Sequence, residues 1–139
     1  MRSEIQSRIQ AQADTLRTVL SDVTDGAGAR FGDRIGWEPS APTILTPPSV
    51  LLAPPSWNYD SYSQSGPSEL EWRVWLIAPA DDVMVGRLWA MAHEAAVALD
   101  ASDLVDGNVL DVEPSTWRPG VANLPAYVVR YSAILGDVA

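Results

Sequence analysis

The stretch ELEWRVWLIAP at 69–79 constrains the fold of this chain more than any other. Side chains alternate across a β-strand. Leu70, Trp72, Val74 and Leu76 therefore share one face, which is wholly apolar. Glu69, Glu71 and Arg73 share the other, which turns apolar at Trp75 and Ile77. Such a strand lays one face on a core. Its second face passes from solvent into another contact surface.

The partners for that core are two helices. Residues 3–23 place Ile5, Ile9, Ala13, Leu16, Leu20 and Val23 at steps of three and four, which is one helical face. A helix of this length is marginal alone in water, so its stripe must pack on something. Residues 81–101 form the second helix, capped by Asp81 and Asp82. Its buried stripe is Met84, Leu88, Met91 or Ala92, Ala95 and Leu99, and Trp89 covers its flank.

The other strands flank it. Residues 24–40 read as a glycine-rich connector. Val50 to Ala53 suit a strand from about 49 to 53, since Pro47 and Pro48 forbid a longer one inside a sheet. Asp106–Gly107 marks a turn, NVLDVE at 108–113 is a strand, and Pro114 to Asn123 form a loop holding Trp117. LPAYVVRYSAIL at 124–135 is the last strand. Neither of its faces is strongly polar, which places it inside the sheet. The expected fold is α+β in one domain, 1–139: a mostly antiparallel sheet of about four strands with two helices packed on it, in the order α-β-β-α-β-β. A chain of 139 residues buries roughly two-thirds of its unfolded surface, enough for one core.

Composition narrows the function. The formal net charge is −9, and all nine basic residues are arginines. Stable nucleic-acid binding needs clustered cations, which an acidic chain does not offer. The acids concentrate at 81–139, which suggests one acidic face. No cysteine is present, so disulfides and thiolate chemistry are excluded. No apolar run is long enough to span a membrane, and MRSEIQSRIQAQ lacks the apolar stretch of a secretory signal.

Catalytic and metal motifs fail one by one. A zinc-protease helix needs a second histidine four residues after the first, and His93 is followed there by Val97. It reads as a surface histidine beside Glu94. Asp100, Asp103 and Asp106 before Gly107 lack the alternate spacing of a calcium loop. Gly26, Gly28 and Gly32 follow a helix and not a strand, so they are no dinucleotide loop. A single histidine and no lysine leave no good catalytic triad. Glu69 and Glu71 share a strand face, the one arrangement with a claim to acid–base work. No enzyme activity, cofactor or metal is expected.

The aromatics carry the remaining signal. PPSWNYDSYSQSGPS at 54–68 joins two strands and holds Trp57, Tyr59 and Tyr62 among prolines and serines. Trp and Tyr are the residues that anchor protein interfaces. Trp57, Tyr59, Tyr62, Trp75, Ile77 and Trp117 are the candidate contact residues for a sister subunit or another partner. Aromatics folded back as lids on the core are the competing reading.

The succession of an amphipathic N-terminal helix, the proline-framed SVLLAPP and the aromatic–Ser–Gly loop is followed by ELEWRVWLIAP, DDVMVGRLWAMAHEAAVALD and a hairpin ending YVVRYSAIL. This layout, over nearly the whole chain, resembles the tail terminator (tail completion) proteins of long-tailed, siphovirus-type bacteriophages, especially those of actinobacterial hosts. Arginine without lysine agrees with such a host. The resemblance rests on architecture, and no catalytic residue transfers. It implies a virion protein, assembled in the host cytoplasm, at the head–tail junction. There it forms a ring, a homohexamer, that ends tube polymerisation. Its partners would be itself, the major tail tube protein and the head–tail connector proteins, with DNA only in transit through the lumen and no membrane. A head-completion stopper or adaptor is the nearest alternative. A small α+β enzyme or a ligand-binding module stands further off.

Overall fold

The computed structural model describes residues 4–24, 30–32, 35–40, 49–57, 62–63, 66–67, 69–78, 82–102, 107–118 and 123–135. In chain order these form α1 (Glu4–Leu20), β1 (Ile35–Trp37) with a short 3₁₀ turn after it, β2 (Ser49–Leu52), β3 (Tyr62–Ser63), β4 (Gly66–Pro67), β5 (Glu69–Ile77), α2 (Asp82–Asp100), β6 (Gly107–Trp117) and β7 (Leu124–Ile134). Five strands make one sheet in the order β1-β2-β5-β7-β6, and β3 and β4 pair as a separate ribbon.

β5 is the centre of that sheet. It pairs antiparallel with β7 over nine positions, from Glu69↔Ile134 to Ile77↔Ala126. β2 flanks it on the other side. The alternation of β5 is realised as expected: Leu70, Trp72, Val74 and Leu76 are fully buried. They meet Ala13, Leu16 and Leu20 of α1 and Leu88, Met91, Ala92, Ala95 and Leu99 of α2 in one core. Both helices therefore cover the same face of the sheet.

Polar bonds fix α1 across that face. Gln12 bridges two strands: its Oε1 accepts from Trp72 Nε1 at 2.7 Å, and its Nε2 donates to the Ile134 carbonyl at 3.2 Å. Arg8 donates to the Leu135 carbonyl and Arg17 to the Ile35 carbonyl, each at 2.9 Å. The Glu94 carboxylate of α2 accepts from the Thr24 backbone N–H and hydroxyl at 3.2 and 2.9 Å.

The fold differs from the expectation in three ways. It has five strands and is mixed, because β1 lies parallel to β2. The expected order α-β-β-α-β-β omits β1 and the β3–β4 ribbon. β1 is only three residues long and sits in what reads as a glycine-rich connector. Gly36 lies close to the neighbouring strand: a Cβ on it would lie 2.6 Å from Leu51 Cδ2, and that side chain would have to shift. Second, β6 runs on to Trp117 through Pro114. β6 is the edge of the sheet, where the missing N–H of proline breaks no ladder. Trp117 is thus a strand residue and not a loop residue.

Third, α1 ends at Leu20 and α2 at Asp100, short of the expected 23 and 101. Val23 is buried but lies beyond the last turn of α1. Trp89, expected to cover the flank of the second helix, stands 59% exposed on α2. The stretch 54–68 does connect an antiparallel strand pair, β2 and β5. Ser56 prolongs that ladder by exchanging both backbone hydrogen bonds with Glu71, and the β3–β4 ribbon lies beyond it. Positions 58–61, 64, 65 and 68 of the arm, and the glycines at 26 and 28, lie outside the described residues.

Candidate interface: the open sheet face and the base of the arm

The second face of the sheet carries no helix among the described residues. Strand register decides which side chains meet on it. β5 contributes Glu69, Glu71, Arg73, Trp75 and Ile77, opposite Ile134, Ser132, Arg130, Val128 and Ala126 of β7. β6 adds Asp111, Glu113, Ser115 and Trp117, after a bulge between Val109 and Asp111. That irregularity matters, because a one-residue slip turns a strand over. It brings Asp111 opposite Arg130.

One end of this face is apolar. Leu51, Ile77, Trp117 and Ala126 form a small cluster, with Trp75 and Leu124 packed against it. The Trp75 and Trp117 rings meet edge to face, centroids 5.2 Å apart at 75°, a favoured aromatic geometry. The Trp117 indole N–H is buried and has no hydrogen-bond partner among the described residues.

The other end is a charge network. Arg130 Nε donates to Glu71 at 2.7 Å, and its Nη1 donates to Asp111 at 2.6 Å. The hydrogen bond and charge of Glu71, then the charge of Asp111, raise the Arg130 pKa above its ordinary value. The guanidinium is therefore a fixed cation. Ser132 donates its hydroxyl to Glu69. Glu69 and Glu71, the pair with the best claim to acid–base work, thus hold Ser132 and Arg130. Arg130→Met is expected to lower the melting temperature, because it leaves Glu71 and Asp111 facing one another unneutralised. Salt screens that repulsion and weakens the wild-type ion pairs. The gap in melting temperature, read by circular dichroism, should narrow as salt rises.

Two hollows lie on this face. One, of about 250 Å³, has Trp57, Glu69, Glu71, Leu110 and Ser132 in its wall. The other, of about 330 Å³, lies among Arg73, Trp75, Glu113, Val128 and Arg130.

The expected contact residues separate into three groups. Trp57 is 48% exposed at the base of the arm, and Trp75 is half-buried on the open face. Ile77 and Trp117 are buried within the chain, so they support Trp75 and offer no free area themselves. Tyr62 lies in β3, opposite Pro67, and Tyr59 lies outside the described residues. Sequence reasoning missed Arg130, Asp111 and Glu113, which only the register unites. It also missed the exposed Trp89 and Val97 of α2, whose spacing of eight puts them on one helical side.

His93 is exposed beside Glu94, as its helical position suggests. No cluster of metal-binding side chains occurs among the described residues, and no described helix is long and apolar enough to cross a membrane. No family model, curated protein or solved structure matches the chain.

Proposed function

We propose that this protein is a structural subunit that closes into a ring, a homohexamer, on the tail tube of a siphovirus-type phage. In that role it ends tube growth and presents the surface that meets the head connector. The observation that carries this reading is the division of the sheet. One face is sealed by both helices. The other carries no helix among the described residues, with Trp75 half-buried on it and Trp57 exposed at the arm base. A subunit that must bind neighbours on both sides needs such a surface outside its core. The net charge of −9 suits a lumen that DNA crosses without being held. The layout resemblance points to the same class.

The test is electron microscopy of the purified protein and of virions, looking for sixfold rings at the head–tail junction. Discrete monomers absent from virions would sink the reading. Trp57→Ala is expected to leave a folded chain, since a half-exposed side chain contributes little to the core. It should reduce tail joining, scored as headless tails and tailless heads. Normal yields of infectious particles from this variant would remove Trp57 from the interface.

A binding module is the second reading. The hollow beside Trp57 and Glu69 has the acid and aromatic lining that a small cation would use. A chain that stays monomeric and binds such a cation would favour it.

A further inference from the structure

A ring contact is heterologous: one patch of a subunit meets a different patch of the next. The open sheet face supplies the first patch. The second is not a sheet edge. β1 is three residues long, and β6 is interrupted by Pro114 and the bulge at Leu110. Short edges, prolines and bulges all discourage strand addition. The helices remain.

They differ sharply. The exposed side chains of α1 are Gln6, Ser7, Gln10, Asp14, Arg17 and Thr18, with Ala11 the only apolar one among the described residues. On α2, Trp89 and Val97 are 59% and 51% exposed. His93 sits between them at spacings of four, and Gly86 and Ala90 beside them keep the surface low. From Gly86 to Val97 the one acid is Glu94, which is half-buried and engaged by Thr24. Arg87 is the charged residue exposed there.

We infer that the α2 stripe of Trp89, His93 and Val97 docks on the open sheet face of a second copy of this chain. The inference rests on the ring reading and names the contact that would close it. Charge favours it. The open face presents Glu69, Glu71, Asp111 and Glu113 against Arg73 and Arg130, two more carboxylates than guanidiniums. In a chain of net charge −9, the α2 stripe exposes no carboxylate between Gly86 and Val97. Two stripes facing each other would oppose Arg87 of one copy to that of the other. A stripe on the sheet face sets it against carboxylates, and such complementarity selects partners. The hollow between Trp75 and Glu113 receives the Trp89 indole, an exposed aromatic anchor entering a pocket with an aromatic wall.

Sedimentation velocity with cross-linking tests this at protein concentrations up to about 1 mM. Trp89→Glu damages the stripe alone, and Glu113→Arg damages the sheet face alone. Both positions are exposed, so both variants should fold, checked by circular dichroism. Wild-type protein is expected to form species larger than dimers. Each variant should associate about thirtyfold or more weakly. An equal mixture of the two should give heterodimers and nothing larger, because one intact stripe and one intact face remain between them. Assembly of Trp89→Glu at wild-type strength, or a mixture that stays monomeric, overturns this contact while leaving the ring reading in place. Wild-type protein that remains monomeric at every concentration overturns the ring reading and this contact with it.

Discussion

Trp72→Ala is expected to cost about 3–5 kcal/mol, the range for truncating a buried aromatic. Trp72 is fully buried near the middle of β5, opposite Tyr131 of β7 and under the helices. Its indole N–H is also the bond that ties β5 to Gln12 of α1. Truncation leaves Gln12 Oε1 without that donor, adding to the cavity left behind. Domains hold only about 5–15 kcal/mol of net stability, so the variant should be largely unfolded or soluble only at low temperature. Urea denaturation checks this: the midpoint falls while the slope with denaturant stays the same. Trp72→Phe separates the two contributions, since it keeps most of the packing and loses the hydrogen bond. Trp89→Ala is the control and should stay within about 0.5 kcal/mol of wild type, because its ring is mostly in water. A Trp72→Ala loss no larger than that control would mean the centre of the sheet is packed differently.

The contrast between those two tryptophans shows where sequence reasoning succeeds and where it stops. Trp72 alternates with Leu70, Val74 and Leu76 against Glu69, Glu71 and Arg73, and that alternation leaves one solution for the buried face. Trp89 lies one helical step from Leu88, and its size alone suggests burial. Periodicity there assigns a direction, but the width of the covered stripe depends on what packs above it. α2 faces the sheet through Leu88, Met91, Ala95 and Leu99, which leaves Trp89 outside. β1 was hidden for another reason: three residues around a glycine carry no period, and their pairing with Val50, Leu51 and Leu52 is purely tertiary. The Arg130 network was hidden by distance in sequence. Its acids lie 59 and 19 residues away, and the bulge sets which β6 side chain arrives opposite it. The aromatic content of the candidate surface was legible. Its division was not, because burial of Ile77 and Trp117 follows from Leu51 and Ala126 on neighbouring strands.

Gly107→Ala is the second large effect expected, a loss of about 1–3 kcal/mol from overpacking. Gly107 opens β6 and stands opposite Ala133 of β7. A Cβ there would meet Tyr131 Oη at 2.8 Å and Cζ at 2.9 Å, with the Ser132 carbonyl oxygen closer still. Tyr131 is fully buried and the carbonyl belongs to the ladder, so neither can swing aside. β6 itself has to move. Gly86→Ala provides the opposite sign: a Cβ there meets nothing within 4 Å. In an exposed helix, alanine in place of glycine should stabilise by about 1 kcal/mol. Urea midpoints of the two variants should therefore shift in opposite directions. Displacement of β6 has a further consequence, since that strand carries Asp111 and Glu113 of the open face. Amide exchange along β6 should accelerate in Gly107→Ala ahead of exchange in β5. If the open face is the ring contact, association should weaken even below the unfolding transition. An unchanged midpoint together with unchanged exchange would show that β6 and β7 lie further apart than this register requires.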